Sequence, residues 1–405
     1  MKHIIILGDG MADLPIDKLG GKTPLMVAET PYIDQLAKKG RNGLLTTVPS
    51  DMPPGSEIAN MGVMGYDVKK VYQGRGVLEA ASMGVNLEAT DLALRCNLVC
   101  IDGENLKNHS AQHVSTEEAS VLIDFLNEKL GTDTIHFYPG VSYRHLLVIK
   151  NGNAQVDCTP PHDHPEKPFR PLLVKEKTAE ANHTASLLNE LVMKSQVLLT
   201  NHPINVARKA AGKDPANSIW PWSPGNKPQM ETLKQMYGVE KSAVISAVDL
   251  IQGIGVYAGM EVIKVEGATG LYDTNYEGKA LAAIDALKNG ADFVYLHIEA
   301  SDEAGHEGDV ELKIKTIEYL DQRIVKPILE AANRFESPLA IALLPDHPTP
   351  CNLRTHTHDP IPFIIYRPGE TPDEVEKYDE ISAKQGIYGI LKGDEFIKTL
   401  LGKKS

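Results

Sequence analysis

The chain has 405 residues, 42% of them apolar and 23% charged, and carries a net charge of −13. This length and composition suit a globular protein of two or three domains with a large core, and exclude a disordered or fibrous chain. The acidic balance supplies no counterweight to a phosphate backbone, so nucleic-acid binding is not expected, and an anionic ligand would need a local cluster of cations.

In chain order, Ile4 to Leu7 reads as a buried strand that ends in the polar tip Gly8-Asp9-Gly10. The apolar run is too short for a signal peptide. A helix is predicted over Tyr32 to Lys39 with Gly40 as its stop, then a strand over 42–48 and a loop rich in Pro and Gly. Strand, helix, strand is the beginning of an α/β sheet. Between Thr90 and Thr178 the rhythm changes: strand-like runs at 93–101, 134–138 and 143–149 surround one helix at 115–130. Cys96 and Cys100 fall in the first of these runs and read as core thiols, since four scattered cysteines make no disulfide framework. The stretch from Cys158 to Pro171, with five prolines and two histidines, reads as a loop or linker. We therefore expect an inserted α+β lobe over 91–180 between core segments 1–90 and 181–405. Beyond Pro203 the α/β pattern returns, with strands at 242–248, 260–265, 293–298 and 339–344 and helices at 277–289 and 312–332. No run of 18 apolar residues occurs, so no membrane-spanning helix is expected. Reduced thiols and the missing signal peptide point to a cytoplasmic protein.

Three apolar strands each end in an aspartate: Asp9, Asp302 and Asp346. Ligands of open α/β sheets bind outside the carboxyl ends of the strands, so these carboxylates should converge. His306 lies one helical turn beyond Asp302, His347 follows Asp346, and His356 and His358 follow shortly after. Three aspartates and three histidines suffice for two divalent ions such as Mn²⁺, Zn²⁺ or Mg²⁺. Ser56, where a Pro-Gly loop enters a helix, is either a simple helix cap or a nucleophile placed where backbone N–H groups favour an attached phosphate.

Together these residues resemble the alkaline phosphatase superfamily, and within it the archaeal-type branch of the cofactor-independent phosphoglycerate mutases. The segments Gly55-Ser-Glu-Ile-Ala-Asn-Met61, Tyr66-Asp67, Gly74-Arg-Gly76, Ser142-Tyr-Arg-His145, Thr274-Asn-Tyr-Glu277, Asp302-Glu-Ala-Gly-His306 and Pro345-Asp-His347 carry the resemblance along nearly the whole chain. It implies an α/β fold: an alkaline-phosphatase-like core sheet with helices on both faces plus a smaller inserted α+β cap. It further implies Asp9, Ser56, Asp346 and His347 around one ion, and Asp302, His306 and His356 around the other. His356 is preferred to His358 because the family's ligand lies four residues before the first proline of a segment matched here by Pro360-Ile-Pro362. His113, Arg144 and Arg75 are implied to bind a small phosphorylated substrate.

The implied reaction is interconversion of 2-phosphoglycerate and 3-phosphoglycerate through a phosphoserine at Ser56, with two metal ions, most simply Mn²⁺, and neither bisphosphoglycerate nor a nucleotide. Two features depart from the family pattern: Gln252 stands where a basic residue is expected near the serine, and Gln112 precedes His113 in place of a small residue. They keep open a phosphotransferase or phosphatase acting on another small hydroxyl compound such as homoserine. A non-catalytic metal-binding protein is the reading from another class.

Overall fold

The structure, a computed structural model, describes residues 1–403. The chain forms two compact units, one of residues 1–72 and 230–403 and the other of residues 73–229.

The larger unit is built on an eight-stranded mixed sheet. Its strands lie in the order Glu261–Val262, Ser242–Ile245, Phe293–Ile298, Lys2–Gly8, Leu339–Leu344, Ile361–Tyr366, Arg41–Thr46 and Ile390–Lys392. Ile361–Tyr366 runs against its two neighbours; the other pairings are parallel. The central strands Phe293–Ile298, Lys2–Gly8 and Leu339–Leu344 are apolar on both faces, as sheets covered on two sides require. Ile4, Ile6, Val294, Leu296, Ile341 and Leu343 face a core shared with helices Pro31–Lys39, Tyr276–Lys288 and Val310–Leu320. The last of these continues through a π-helical turn, Asp321–Val325, into Lys326–Ala332, so the predicted 312–332 helix is a helical run with one register change. The expected strand at 260–265 shrinks to Glu261–Val262, an edge pair of two residues.

The smaller unit holds an antiparallel sheet ordered Ile135–Val141, Arg144–Ile149, Leu92–Asp102, Asn105–Asn108 and Lys167–Pro168, with Ser218–Asn226 also paired to Leu92–Asp102. Helices Thr116–Leu130 and Asn182–Leu199 pack Leu122, Leu126, Leu188, Leu191 and Leu199 into its core beside Leu94 and Leu147. Thr116–Leu130 starts at the predicted place because the Ser115 hydroxyl accepts the Glu118 N–H. The expected insert 91–180 falls inside this unit, which extends further at both ends. The reason is pairing at long range: Ser218–Asn226 completes the sheet, and Asn182–Leu199 covers one of its faces. Cys96 and Cys100 are buried free thiols in Leu92–Asp102.

Among the described residues, no helix is long and apolar enough to cross a membrane.

Candidate active site

Asp9, Asp302 and Asp346 meet at the carboxyl ends of the three central strands of the larger unit. Two groups of side chains there have ligand atoms close enough to share an ion: Asp302, His347 and His356, and Asp9, His297 and Asp346. Gly10 permits the approach. Its φ is +61°, and a Cβ would lie 2.5 Å from Asp302 Oδ1, so the tip after the first strand needs glycine at this point. The Gly10 N–H donates to Asp346 Oδ1 at 3.2 Å.

Helix Ala300–Glu307 carries Asp302 and His306 on one face, as their spacing predicts. His306 Nε2 is 3.2 Å from Asp302 Oδ2, and His356 Nε2 is 3.4 Å from Asp302 Oδ1. The two imidazole Nε2 atoms are only 2.9 Å apart. Their Nδ1 atoms face the backbone carbonyls of Arg354 and Pro54, at 3.1 and 3.2 Å. A carbonyl only accepts, so Nδ1 carries a proton in each ring and Nε2 is the nitrogen turned toward Asp302. Two imidazoles and a carboxylate thus converge, a donor set that suits a divalent cation. Positive charge is favoured here: the hydrogen bond to Asp302 lifts His306 to about 9. Burial alone would raise Asp302, yet His306 and His356 hold it well below the ordinary carboxylate range. His358 is elsewhere, exposed, with Nε2 2.8 Å from the Met52 carbonyl.

On the other side, Asp346 is fully buried and its oxygens accept from Gly10 N, from its neighbour His347 N at 2.8 Å and from Asn60 Nδ2 at 2.8 Å. Tyr295 in turn donates to Asn60 Oδ1 at 2.6 Å, fixing the amide's orientation. Asp9 is also buried, and its Oδ1 has no hydrogen-bond partner. Burial, then the Asp346 and Asp302 carboxylates, push the Asp9 carboxyl well above its ordinary range. Such crowding of carboxylates is relieved by a cation.

Ser56 opens helix Ser56–Val63, whose N-cap is Gly55 with no side-chain cap, so Ser56 is not a capping serine. Its Oγ lies 3.1 Å from His347 Nε2. The helix comes close because Gly62 presses on the Thr47 carbonyl, where a Cβ would stand 2.5 Å away. His347 sits between the two groups: its Nε2 is 3.4 Å from Asp346 Oδ2 and 3.7 Å from Asp9 Oδ1, while its ring stacks on His356 at 3.9 Å. The Thr349 hydroxyl donates to Asp302 Oδ1, leaving its oxygen to accept from His347 Nδ1 at 3.3 Å. That assignment leaves the His347 Nε2 lone pair facing Ser56, whose O–H then donates to it. The expected set of Asp9, Ser56, Asp346 and His347 is gathered, as is that of Asp302, His306 and His356. The structure adds that His347 adjoins both.

The sequence reading missed His297. Its signal was a single histidine in the apolar strand Phe293–Ile298, two residues before the polar tip. Gln252 is buried and donates from Nε2 to the Ser246 carbonyl at 2.8 Å.

His113, Arg144 and Arg75 all belong to the smaller unit. The His113 ring packs edge-on against Tyr143, centroids 5.6 Å apart, and the Arg144 guanidinium lies 5.6 Å from the same ring. His109 also packs on Tyr143, His162 packs on Trp222, and Arg95 stacks over Trp222 at 4.5 Å. Burial lowers both Arg95 and His162, and the nearby charge of Arg75 adds to the effect in each. His109 and His162 were not anticipated, because they come from separate loops. His113 is held by an unusual backbone: Ala111, Gln112 and His113 are left-handed, with φ of 47°, 54° and 50°. Strain of this kind persists only where neighbours enforce it. Arg208 donates to the Ala111 carbonyl at 2.6 Å and to the Asp214 carbonyl at 2.9 Å, and Gln112 Oε1 accepts the Asp214 N–H at 2.9 Å. The departure at Gln112 is thus a strut of this turn.

Sheet, strand-end carboxylates and serine define the class: an α/β protein with two adjoining candidate metal groups and a hydroxyl set against them. Relatives narrow it further. The chain is 51% identical over 403 residues to the 2,3-bisphosphoglycerate-independent phosphoglycerate mutase of Methanosarcina mazei, covering 99% of this chain and all of that one. A sequence profile of 2,3-bisphosphoglycerate-independent phosphoglycerate mutase matches residues 37–205. Among solved structures, a protein from Pyrococcus horikoshii matches with a TM-score of 0.84 and 30% identity, over 100% of this chain and 98% of that one. The cofactor-independent phosphoglycerate mutase of Thermoplasma acidophilum matches with a TM-score of 0.71 and 25% identity, over 99% of each chain. The chain belongs to the family of 2,3-bisphosphoglycerate-independent phosphoglycerate mutases, in its archaeal-type branch.

Proposed function

We propose that this protein interconverts 2-phosphoglycerate and 3-phosphoglycerate through a phosphoserine at Ser56. The observation that carries the reading is Ser56 Oγ, 3.1 Å from His347 Nε2, a nitrogen that itself lies 3.7 Å from Asp9 Oδ1, in a chain half identical to a mutase along its length. Asp9, Ser56, Asp346 and His347 would hold one divalent cation, and Asp302, His306 and His356 the other. The mixed carboxylate and imidazole donors favour Mn²⁺. Such ions lower the pKa of a bound hydroxyl and neutralise the charge of a transferring phosphoryl group.

The protein's own groups do the rest. Ser56 gives up its hydroxyl proton and its oxygen bonds phosphorus, while the departing glycerate oxygen takes a proton. The reverse step returns the phosphoryl group to the other glycerate hydroxyl and restores the serine. Ser56 heads an eight-residue helix, whose positive end favours the phosphoserine dianion. Excluding water keeps the intermediate from hydrolysis, which separates a mutase from a phosphatase. We assign recognition of the substrate carboxylate and phosphate to His113, Arg144 and Arg75, since a guanidinium pairs two oxygens at once.

Incubating Mn²⁺-loaded protein with 3-phosphoglycerate and following phosphorus NMR tests the reading. Appearance of 2-phosphoglycerate is expected. Inorganic phosphate would make it a phosphatase, and an unchanged spectrum would refute phosphoglycerate as substrate.

A further inference from the structure

His297 has no part in the assignments above, yet it is fully buried against the site. The sheet register places it. Leu7 pairs with His297 and Ile245 with Leu296, so Asp9, two residues beyond Leu7, and Ser246, one beyond Ile245, reach the imidazole from the two flanking strands. His297 Nε2 lies 2.9 Å from Asp9 Oδ2 and Nδ1 lies 3.2 Å from Ser246 Oγ.

The partners of the two ring nitrogens set the direction of this row, taken for a ring with one N–H. Asp9 as a cation ligand is ionised and only accepts, so the proton sits on Nε2 and is donated to Oδ2. Nδ1 is then the acceptor and receives the Ser246 O–H. Ser246 is able to donate, because the bond its oxygen takes from the backbone is an accepted one, from the Val248 N–H at 3.0 Å. Gln252 holds the Ser246 carbonyl at 2.8 Å, steadying the start of the row. The result is directional: Ser246 to His297 to Asp9. It occupies Asp9 Oδ2 and leaves Oδ1, buried and without a partner, as the oxygen to offer.

We infer that His297 is a positioning residue that orients Asp9 toward a divalent cation and is not itself a ligand, although it is one of the three side chains clustered with Asp9 and Asp346. The inference rests on the reading that a cation binds at Asp9. Outer hydrogen-bond partners of metal ligands typically set affinity by about 10- to 100-fold.

The test titrates the full chain with Mn²⁺ alone, reading affinity by calorimetry and directly coordinated nitrogen by electron spin-echo spectroscopy. In His297→Gln the amide nitrogen can stand near the position of imidazole Nε2 and donate to Asp9. It should keep the affinity of both sites within about threefold and lose no coordinated nitrogen. His297→Leu should weaken one of the two sites by about 10- to 100-fold, again with no coordinated nitrogen lost. Loss of a coordinated nitrogen in either variant would make His297 a ligand and overturn the inference. So would equal loss of affinity in both variants, or wild-type affinity in His297→Leu. If His297→Leu does not fold, Ser246→Ala carries the test: it should weaken one site by about threefold or more, and unchanged affinity would overturn the inference. Wild-type protein that binds no Mn²⁺ would remove the metal reading itself, and this inference with it.

Discussion

Asp9, Asp302 and Asp346 crowd together at the sheet edge of the larger unit, with burial and mutual repulsion pushing Asp9 far up. Around Tyr143 and Trp222 in the smaller unit basic side chains gather instead: His109, His113, His162, Arg95 and Arg144 lie against the two rings, with Arg95 paired to Glu79 at 2.9 Å. On the proposed reading, a phosphoester would meet repulsion at the first place unless cations reversed its sign, and an exposed guanidinium, Arg144, at the second. A chain of net charge −13 can therefore handle an anion by segregating its charges. On the same reading, chemistry would depend on the larger unit and recognition on the smaller, and mutation should separate the two.

The strongest way to break this division is at Ser56. Ser56→Ala should lower kcat by about 10³-fold or more, in line with losses seen on removing a nucleophile, and leave KM nearly unchanged. Stability should hold, because the hydroxyl caps nothing. Wild-type enzyme quenched in acid after mixing with substrate should carry phosphate on the peptide containing Ser56, and the variant should not. Appreciable turnover in the variant would favour direct transfer and leave Ser56 without a covalent role.

Lys313 tests what holds the anionic half in shape. Its ammonium is fully buried and donates to the Ala12 carbonyl at 3.1 Å, the Thr349 carbonyl at 2.8 Å and Asp13 Oδ2 at 2.9 Å. It thereby ties the loop after Asp9 to the loop after His347. Lys313→Met strands the Asp13 carboxylate and should cost about 3–5 kcal/mol of unfolding free energy, read by denaturant titration. Lys313→Met with Asp13→Leu should cost less than Lys313→Met alone, because neither charge is then left unpaired.

The two halves were not equally legible. Aspartates that directly follow apolar strands announce themselves, since the strand pattern gives both their place and their convergence. Asp302 and His306 share a helix face by spacing alone. His297 hid because a histidine inside a buried strand has no periodic signature; only its pairing with Leu7 shows that it reaches Asp9. In the smaller unit, Tyr143 and Arg144 are adjacent in sequence, but His109, His162 and Trp222 arrive from separate segments. Nothing local announces that Ser218–Asn226 will pair with Leu92–Asp102 across more than a hundred residues. The extent of that unit was hidden for the same reason.

A smaller effect is expected on the cationic face. Arg144 is exposed and lies against Tyr143. Arg144→Ala should raise KM for phosphoglycerate about 10- to 100-fold, the worth of hydrogen bonds to a charged group, with kcat changed far less. Mn²⁺ affinity measured on the same variant should match wild type. A variant that loses Mn²⁺ as well as substrate would show that recognition and metal binding are not separable.

The smallest effect concerns a carboxylate buried away from both places. Asp321 is fully buried, and its Oδ1 accepts the N–H groups of Tyr32 and Ile33 at 2.9 and 2.7 Å. It caps helix Pro31–Lys39 where Thr30 makes no side-chain cap. Unlike Asp302 it faces neutral donors with no imidazole beside it, and burial outweighs them, raising its carboxyl from 3.8 to about 6. A group with a raised folded pKa contributes stability that is complete below its unfolded pKa and is lost as pH rises through its folded pKa. Asp321→Asn keeps an oxygen for both N–H groups and removes the titration. The variant should therefore gain on wild type between about pH 4 and 7, by on the order of 1 kcal/mol, in urea unfolding at a series of pH values. If it loses ground as pH rises, two backbone donors are enough to stabilise a buried carboxylate. The crowding of Asp9 with Asp346 and Asp302 would then be weaker evidence for a cation.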